Sequence, residues 1–132
     1  MSAEAAPYIL VVDDNADNLY VLTHVLERHG YTVRGVADGP AALSAAAEAR
    51  PALVLLDIRL PGFSGYEVAA ALRGRDGLVG TPVIAVTAHA MPGDREAALA
   101  AGCDDYMTKP IDVHELLRRV EQLLSLRSAA GN

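Results

Sequence analysis

The sequence is poor in cysteine, in aromatic residues and in long apolar runs. It has one cysteine, Cys103, one phenylalanine and no tryptophan among 132 residues. A single cysteine cannot form an internal disulfide, and no signal-peptide pattern begins the chain, so we expect a reducing, cytoplasmic location. No apolar run approaches the roughly 20 residues that cross a bilayer, so we expect no membrane association.

Basic residues are also scarce. Eleven Lys and Arg stand against seventeen Asp and Glu, which gives a net charge of −6. Such a surface repels phosphate backbones, so direct binding to nucleic acid is not expected. The length suits one domain, with a folded core at about residues 8–124 and frayed tails at 1–6 and 126–132.

Short apolar runs alternate with helical patterns five times along the chain. Strands are predicted at residues 8–12, 32–36, 52–56, 82–87 and 105–107. Helices are predicted from a cap at Asp14 or Asn15 to Gly30, at 41–50, 64–72 and 94–101, and along an apolar stripe from Val113 to Leu124. This order favours an α/β fold with a doubly wound parallel sheet and helices on both faces. In such folds the ligand site lies beyond the carboxyl ends of the strands.

Charged and hydroxyl side chains follow four of the predicted strands. Asp13 and Asp14 follow the first strand, Asp57 the third, Thr87 the fourth and Lys109 the fifth. Three carboxylates at one edge would repel one another unless a cation lay among them. Because all three offer oxygen, we expect Mg²⁺, with Mn²⁺ as an alternative ion.

A carboxylate can attack phosphorus and form an aspartyl-phosphate, in which the protein mainly positions groups and stabilises charge. Lys109 would offset charge on the phosphoryl oxygens, and Thr87 could donate a hydrogen bond to one of them. Each residue alone also suits an ordinary structural role, as a helix cap, a strand residue or a solvated charge. Four such residue types, each at the end of its own strand, together favour the functional interpretation.

The same positions resemble the response-regulator receiver domain. The motifs are Asp13-Asp14, Leu56-Asp57 with Leu60-Pro61 and Gly65, Val86-Thr87-Ala88, and Thr108-Lys109-Pro110. The resemblance covers the chain from about Tyr8 to Leu124. It implies five strands in the order 2-1-3-4-5 with five helices, the flavodoxin-like arrangement.

The resemblance also implies roles for the site residues. Asp57 would be the phosphoacceptor. Asp14, Asp57 and the carbonyl of Arg59 would contact the metal directly, and Asp13 would act largely through water.

Three further features follow from the resemblance. Thr87 and Lys109 would sense the phosphoryl group, and the ring of Tyr106 would turn inward as a switch. The simpler alternative for Tyr106 is a half-buried ring with its hydroxyl in water. Pro110 would follow a cis peptide bond.

Two side chains are expected to tune the lifetime of the phosphoryl group. Arg59 lies two residues after Asp57, and His89 two residues after Thr87, so both would flank an attacking water. We expect a comparatively slow self-hydrolysis.

The function these features imply is that of a single-domain response regulator in a phosphorelay. Its donor would be a histidine kinase or a histidine phosphotransfer protein. Its output would be a downstream protein bound at the face of the fourth helix, fifth strand and fifth helix, and the chain would be a monomer or weak homodimer. Met1 and the short tail favour a stand-alone protein over a receiver excised from a hybrid kinase.

Two other functions fit less well. A phosphohydrolase acting through Asp57 would need a general acid, but Arg59 stands where a second carboxylate would be expected. We therefore expect no enzyme activity beyond phosphoryl transfer to the chain itself and its autodephosphorylation. A flavodoxin-like cofactor binder would need amides at the first turn, but residues 13–17 are acidic and would repel a phosphate.

Overall fold

The computed structural model describes residues 7–60, 62, 64–74, 80–88 and 91–130, with side chains as far as residue 125. Five strands and five helices alternate along the chain. They are β1 (Tyr8–Val12), α1 (Ala16–Arg28), β2 (Thr32–Val36), α2 (Gly39–Glu48), β3 (Leu53–Asp57), α3 (Gly65–Arg73), β4 (Val83–Thr87), α4 (Asp94–Ala100), β5 (Asp105–Thr108) and α5 (Val113–Ala130).

The five strands form one parallel sheet in the order β2-β1-β3-β4-β5, which confirms the predicted topology. Every residue of β1, β3 and β4 is buried, as expected for central strands covered by helices on both faces. The chain turns one way from β1 to β2 and the other way from β3 onward. The crevice created by this reversal therefore lies at the carboxyl ends of β1 and β3.

Alternate residues of each central strand point into two separate cores. One core joins Leu10 and Leu56 to α2, α3 and α4, and the other joins Ile9 and Leu55 to α1 and α5. The two-residue period of a strand sends successive side chains to opposite faces, so a continuous apolar run supplies both cores. The sheet is thereby fixed from both sides, and its carboxyl edge is a rigid base for the residues that follow.

Local signals in the sequence account for the starts of the helices. The side chain of Asn15, one of the two predicted caps, accepts from the amide of Asn18 at 2.9 Å. Helix α2 begins at Gly39 rather than at the predicted Ala41. The carboxylate of Asp38 caps it through the amide of Ala41, and proline suits the first turn of a helix.

The structure differs from the sequence prediction at one further boundary. Helix α5 extends to Ala130, whereas the sequence predicted a frayed tail at residues 126–132. Leu99 of α4 is 45% exposed, and Ala98 is the residue of that helix that is buried. Cys103 is buried, and burial raises the pKa of its thiol to about 11.

Within the described residues, no helix is long and apolar enough to span a membrane.

Gly65, at the start of α3, approaches the backbone that follows β3. Its amide donates to the carbonyl of Ile58 at 2.7 Å. A Cβ at this position would lie 2.5 Å from the Cα of Ile58 and 2.6 Å from the carbonyl oxygen of Asp57. Neither backbone atom can rotate away, so the position requires glycine.

We expect Gly65→Ala to lower the free energy of unfolding by about 1–3 kcal/mol, because the added methyl group overpacks against backbone. Gly74→Ala is the matched control, since a Cβ there would meet only carbonyl oxygens at 3.7 Å and the backbone is already right-handed. Urea denaturation of the two variants should separate them. If the two variants are equally stable, the backbone after β3 shifts to accommodate the added methyl group at little cost.

Candidate functional site

The carboxyl edge of the sheet brings together the candidate site residues that the sequence predicted. Asp13 directly follows β1, Asp57 ends β3, Thr87 ends β4 and Lys109 directly follows β5. Because all the strands are parallel, these four positions lie at the same edge. The short turn after β1 adds Asp14 to the group.

Three carboxylates meet at this edge. One oxygen each from Asp13, Asp14 and Asp57 lies within 4.8 Å of the others. Asp13 is only 2% exposed and Asp57 6%, whereas Asp14 is open to solvent. Two of the three negative groups are thus held where water screens them poorly.

Lys109 provides the positive charge of the site. Its ammonium group donates to Oδ2 of Asp13 and to Oδ2 of Asp57, both at 3.0 Å. Burial lowers the pKa of Lys109, but the two carboxylates outweigh burial, so the pKa is raised and the side chain stays charged at neutral pH.

Asp57 is held by contacts to both of its oxygens. Its Oδ1 accepts from the backbone amide of Arg59 at 2.8 Å, and its Oδ2 accepts from Lys109. Burial raises the pKa of Asp57, although these two hydrogen bonds oppose the change. The carboxylate is therefore fixed in one orientation with its charge only partly offset.

The set of donor atoms fits a divalent cation. Three carboxylates face one ammonium group, which leaves negative charge that a second cation would neutralise. All the donors are oxygen atoms, the ligands that Mg²⁺ prefers. The exposed Asp14 keeps one side open, so an ion could enter and retain some of its waters.

A cleft of about 590 Å³ opens beside the carboxylates. It is lined by Asp14, Ile58, Arg59, Leu60, Ser64, Tyr66, Thr87 and Asp94. The side chain of Arg59 is exposed at its rim. The cleft is larger than a phosphoryl group, and it joins the carboxyl edge of the sheet to the start of α4.

Tyr106 on β5 is half buried, and its hydroxyl oxygen is fully buried with no hydrogen-bond partner among the described residues. The simpler alternative for Tyr106, a hydroxyl in water, is therefore wrong, whereas its switch role stays a prediction. Burial, together with the negative charge of Asp94, raises its pKa. The Lys109–Pro110 peptide bond is cis, as the resemblance implied. His89 lies outside the described residues.

Sequence reasoning missed one contact in the cleft. The hydroxyl of Tyr66 donates to Oδ1 of Asp94 at 3.2 Å and lies 3.4 Å from the carbonyl oxygen of the same residue. Tyr66 was not singled out, and Asp94 was seen only as the start of a helix. The two are 28 residues apart on different helices, so no local pattern links them.

Comparison with known proteins places this site in a family. A family model described as "Response regulator receiver domain" matches residues 9–121. The transcriptional regulatory protein PrrA of Mycobacterium tuberculosis is 42% identical over 126 residues, which cover 96% of this chain and 53% of that protein. The chain thus spans about half the length of the PrrA proteins it matches. The polar-differentiation response regulator DivK of Brucella anthropi is 40% identical over 116 residues, covering 88% of this chain and 94% of DivK.

Solved structures show the same architecture. The receiver domain of the sensor histidine kinase PA1611 from Pseudomonas aeruginosa has a TM-score of 0.84 and 39% identity, over 92% of this chain and 99% of that one. That structure has a magnesium ion coordinated in its active site cleft. A CheY-like receiver domain protein from Methanospirillum hungatei has a TM-score of 0.89 and 28% identity, over 96% of this chain and 99% of that one.

The family match covers most of the chain, and it includes Asp13, Asp14, Asp57, Thr87 and Lys109. The strand order found here is that of the receiver fold. The chain belongs to the response regulator receiver domain family, the signalling domains of two-component systems.

Proposed function

We propose that this receiver accepts a phosphoryl group on Asp57 from a phosphohistidine donor, with Mg²⁺ bound beside it. The observation that supports this most directly is the setting of Asp57. Its carboxylate is buried, oriented by Lys109 and the Arg59 amide, and within 4.8 Å of two further carboxylates. A carboxylate so placed is a nucleophile whose attack direction is already set.

The ion would be held by Asp13, Asp14, Asp57 and the backbone carbonyl of Arg59. Bound there, Mg²⁺ would neutralise charge on the incoming phosphoryl oxygens. The buried Asp13 and the exposed Asp14 then have different tasks, since Asp13 also fixes Lys109, whereas Asp14 would bind the ion from the solvent side. The magnesium ion in the cleft of the PA1611 receiver supports this assignment.

Two side chains would respond to the phosphoryl group once it is attached to Asp57. Lys109 already contacts Asp57 and would follow the added negative charge. Thr87, buried at the end of β4 and on the wall of the cleft, would turn its hydroxyl toward a phosphoryl oxygen. Tyr106 pairs with Ala85, two positions before Thr87 and on the same face of the sheet, so movement of Thr87 would affect the space beside its ring.

The partners would be a histidine kinase or a histidine phosphotransfer protein as donor, and a downstream protein on the face formed by α4, β5 and α5. Within this face, α4 has one buried residue among its seven, Ala98, which suits a surface that changes shape. We propose that the chain acts as one receiver domain. The DivK match, which covers 94% of that response regulator, supports this.

Incubation with a small acyl phosphate and Mg²⁺ should add about 80 Da to the wild type, the mass of one phosphoryl group. Asp57→Asn should show no gain, because an amide cannot form the acyl phosphate. Asp17→Asn, in the first turn of α1 and outside the cluster, should behave as wild type. Intact mass spectrometry checks all three, and an equal gain in Asp57→Asn would contradict the assignment.

Asp14→Asn should weaken Mg²⁺ binding by about tenfold or more, since affinity for a hard cation follows the charge of its ligands. Asp17→Asn again serves as the control, because it removes the same charge one turn away from the cluster. Isothermal titration calorimetry measures both affinities. If the two variants lose affinity equally, the effect comes from overall charge and the proposed ligand set is wrong.

Arg59→Ala should change the rate of autodephosphorylation by more than twofold. Its exposed side chain lines the cleft and would shield the phosphoryl group from attacking water, so its removal should speed hydrolysis. The decay of the phosphorylated form, followed by intact mass, gives the rate. A change smaller than twofold would exclude Arg59 as a tuning residue.

A further inference from the structure

Helix α4 is held weakly by its own packing. It has seven residues, of which Ala98 is the buried one, and the side chain of Leu99 is 45% exposed. Its N-cap is Gly93, at a φ of 89°, so no side chain caps the first turn. Few buried apolar contacts mean a small cost of displacement. Polar contacts from neighbouring elements must therefore contribute much of what keeps α4 in place.

Helix α3 supplies such contacts at both ends of α4. At the start, the hydroxyl of Tyr66 donates to Oδ1 of Asp94. Beyond the end, Nε of Arg73 donates to the carbonyl of Gly102 at 2.9 Å. Tyr66 and Arg73 are seven residues apart, which is about two helical turns, so they lie on the same face of α3. One face of α3 thus contacts both ends of α4.

The contact at the C-terminal end is the firmer one. The guanidinium of Arg73 also donates to the carbonyl of Thr81 and to the carboxylate of Asp104, both at 2.6 Å. That carboxylate in turn accepts from the amide of Val83 at 2.8 Å, which connects the segment to β4. Several charge-assisted hydrogen bonds would have to break together before this end could move.

The contact at the N-terminal end is weaker and lies beside the proposed phosphoryl site. The distance of 3.2 Å from the Tyr66 hydroxyl to Asp94 exceeds the roughly 2.8 Å usual for a hydroxyl donor. Tyr66 and Asp94 line the same cleft as Asp14 and Thr87. The other oxygen of Asp94 accepts from the amide of Met91 at 2.8 Å, so one carboxylate orders both α4 and the turn before it.

A second tyrosine, Tyr106 on β5, also has a buried hydroxyl. Burial is the largest cause that raises the pKa of Tyr66 and of Tyr106, and the charge of Asp94 adds to it at both residues. Tyr66 uses this acceptor, while the buried hydroxyl of Tyr106 has no partner among the described residues. A buried donor without an acceptor costs free energy, so a rearrangement that gives the Tyr106 hydroxyl an acceptor would be favoured.

We propose that the Tyr66–Asp94 hydrogen bond is the latch that holds α4 in the resting state. Filling the phosphoryl site releases the latch, and α4 pivots on the end that Arg73 holds. Tyr66 thus sets the balance between the two states without touching the phosphoryl group. The coupling to the filled site rests on the proposed function, whereas the latch itself does not.

The latch can be tested without any phosphate. In Tyr66→Phe, the ring remains and only the hydroxyl is lost. The backbone amides of Asp94 and Ala97 should exchange about two- to tenfold faster, the range expected for one hydrogen bond, while those of Gly102 and Cys103 stay unchanged. Tyr20→Phe, on the exposed surface of α1, should change none of them. Residue-resolved hydrogen exchange by NMR measures this, and either no change or an equal rise at all four amides would overturn the latch.

Coupling to the site is tested with beryllium fluoride, a phosphoryl mimic, in the presence of Mg²⁺. Tyr66→Phe should bind it about two- to tenfold more tightly than the wild type, because the latch no longer opposes the filled state. Equal affinity by calorimetry, despite faster exchange, would overturn the proposal. If the wild type takes up neither the mimic nor a phosphoryl group, the proposed function fails, and the phosphate-free exchange experiment still decides the latch.

Discussion

The site depends on a balance of charge at one edge of the sheet. Three carboxylates lie within 4.8 Å of one another, two of them buried, and one ammonium group bridges the buried pair. Removing charges from water is costly unless they are paired, and Lys109 supplies the positive partner for both Asp13 and Asp57. The charge left over makes the edge ready for a divalent cation. In the proposed function, the same imbalance would let an incoming phosphoryl group change the forces on the surrounding side chains.

The close packing of the sheet holds these charged side chains together. Strands β1, β3 and β4 are buried on both faces, and their alternate side chains pack into two separate cores. Repulsion between the carboxylates at the edge of the sheet therefore acts on closely packed strands that resist displacement. Gly65 adds to this rigidity, because it lets the start of α3 approach the backbone just after Asp57. The rigid edge keeps the carboxylate of Asp57 oriented, and any change has to be taken up elsewhere.

Helix α4 is the element best suited to take up that change. Its packing is slight, and the contacts from α3 differ in strength at its two ends. A helix held firmly at one end and weakly at the other rotates more readily than it detaches. The weak end borders the cleft, and the firm end is tied to β4 through Asp104. The rigid site and the weakly packed helix α4 next to it are thus complementary parts of one signalling domain.

Much of this architecture was determined by the sequence alone. Apolar runs of strand length, helix caps such as Asn15, and polar residues directly after the strands act locally, so they predict the parallel sheet and its reactive edge. The helix boundaries were predicted less accurately where local signals compete. Asp38 and Pro40 started α2 earlier than its alanine-rich segment suggested, and α5 continued beyond the last residue of its apolar stripe.

Only the tertiary structure decided which distant residues meet. The bridge from Lys109 to both Asp13 and Asp57, the contact between Tyr66 and Asp94, and the buried hydroxyl of Tyr106 each depend on how separate elements pack. No periodicity along the chain encodes such pairs, because their geometry follows from the positions of whole helices on the sheet. The sequence therefore determines which groups reach the edge, and packing determines which of them touch.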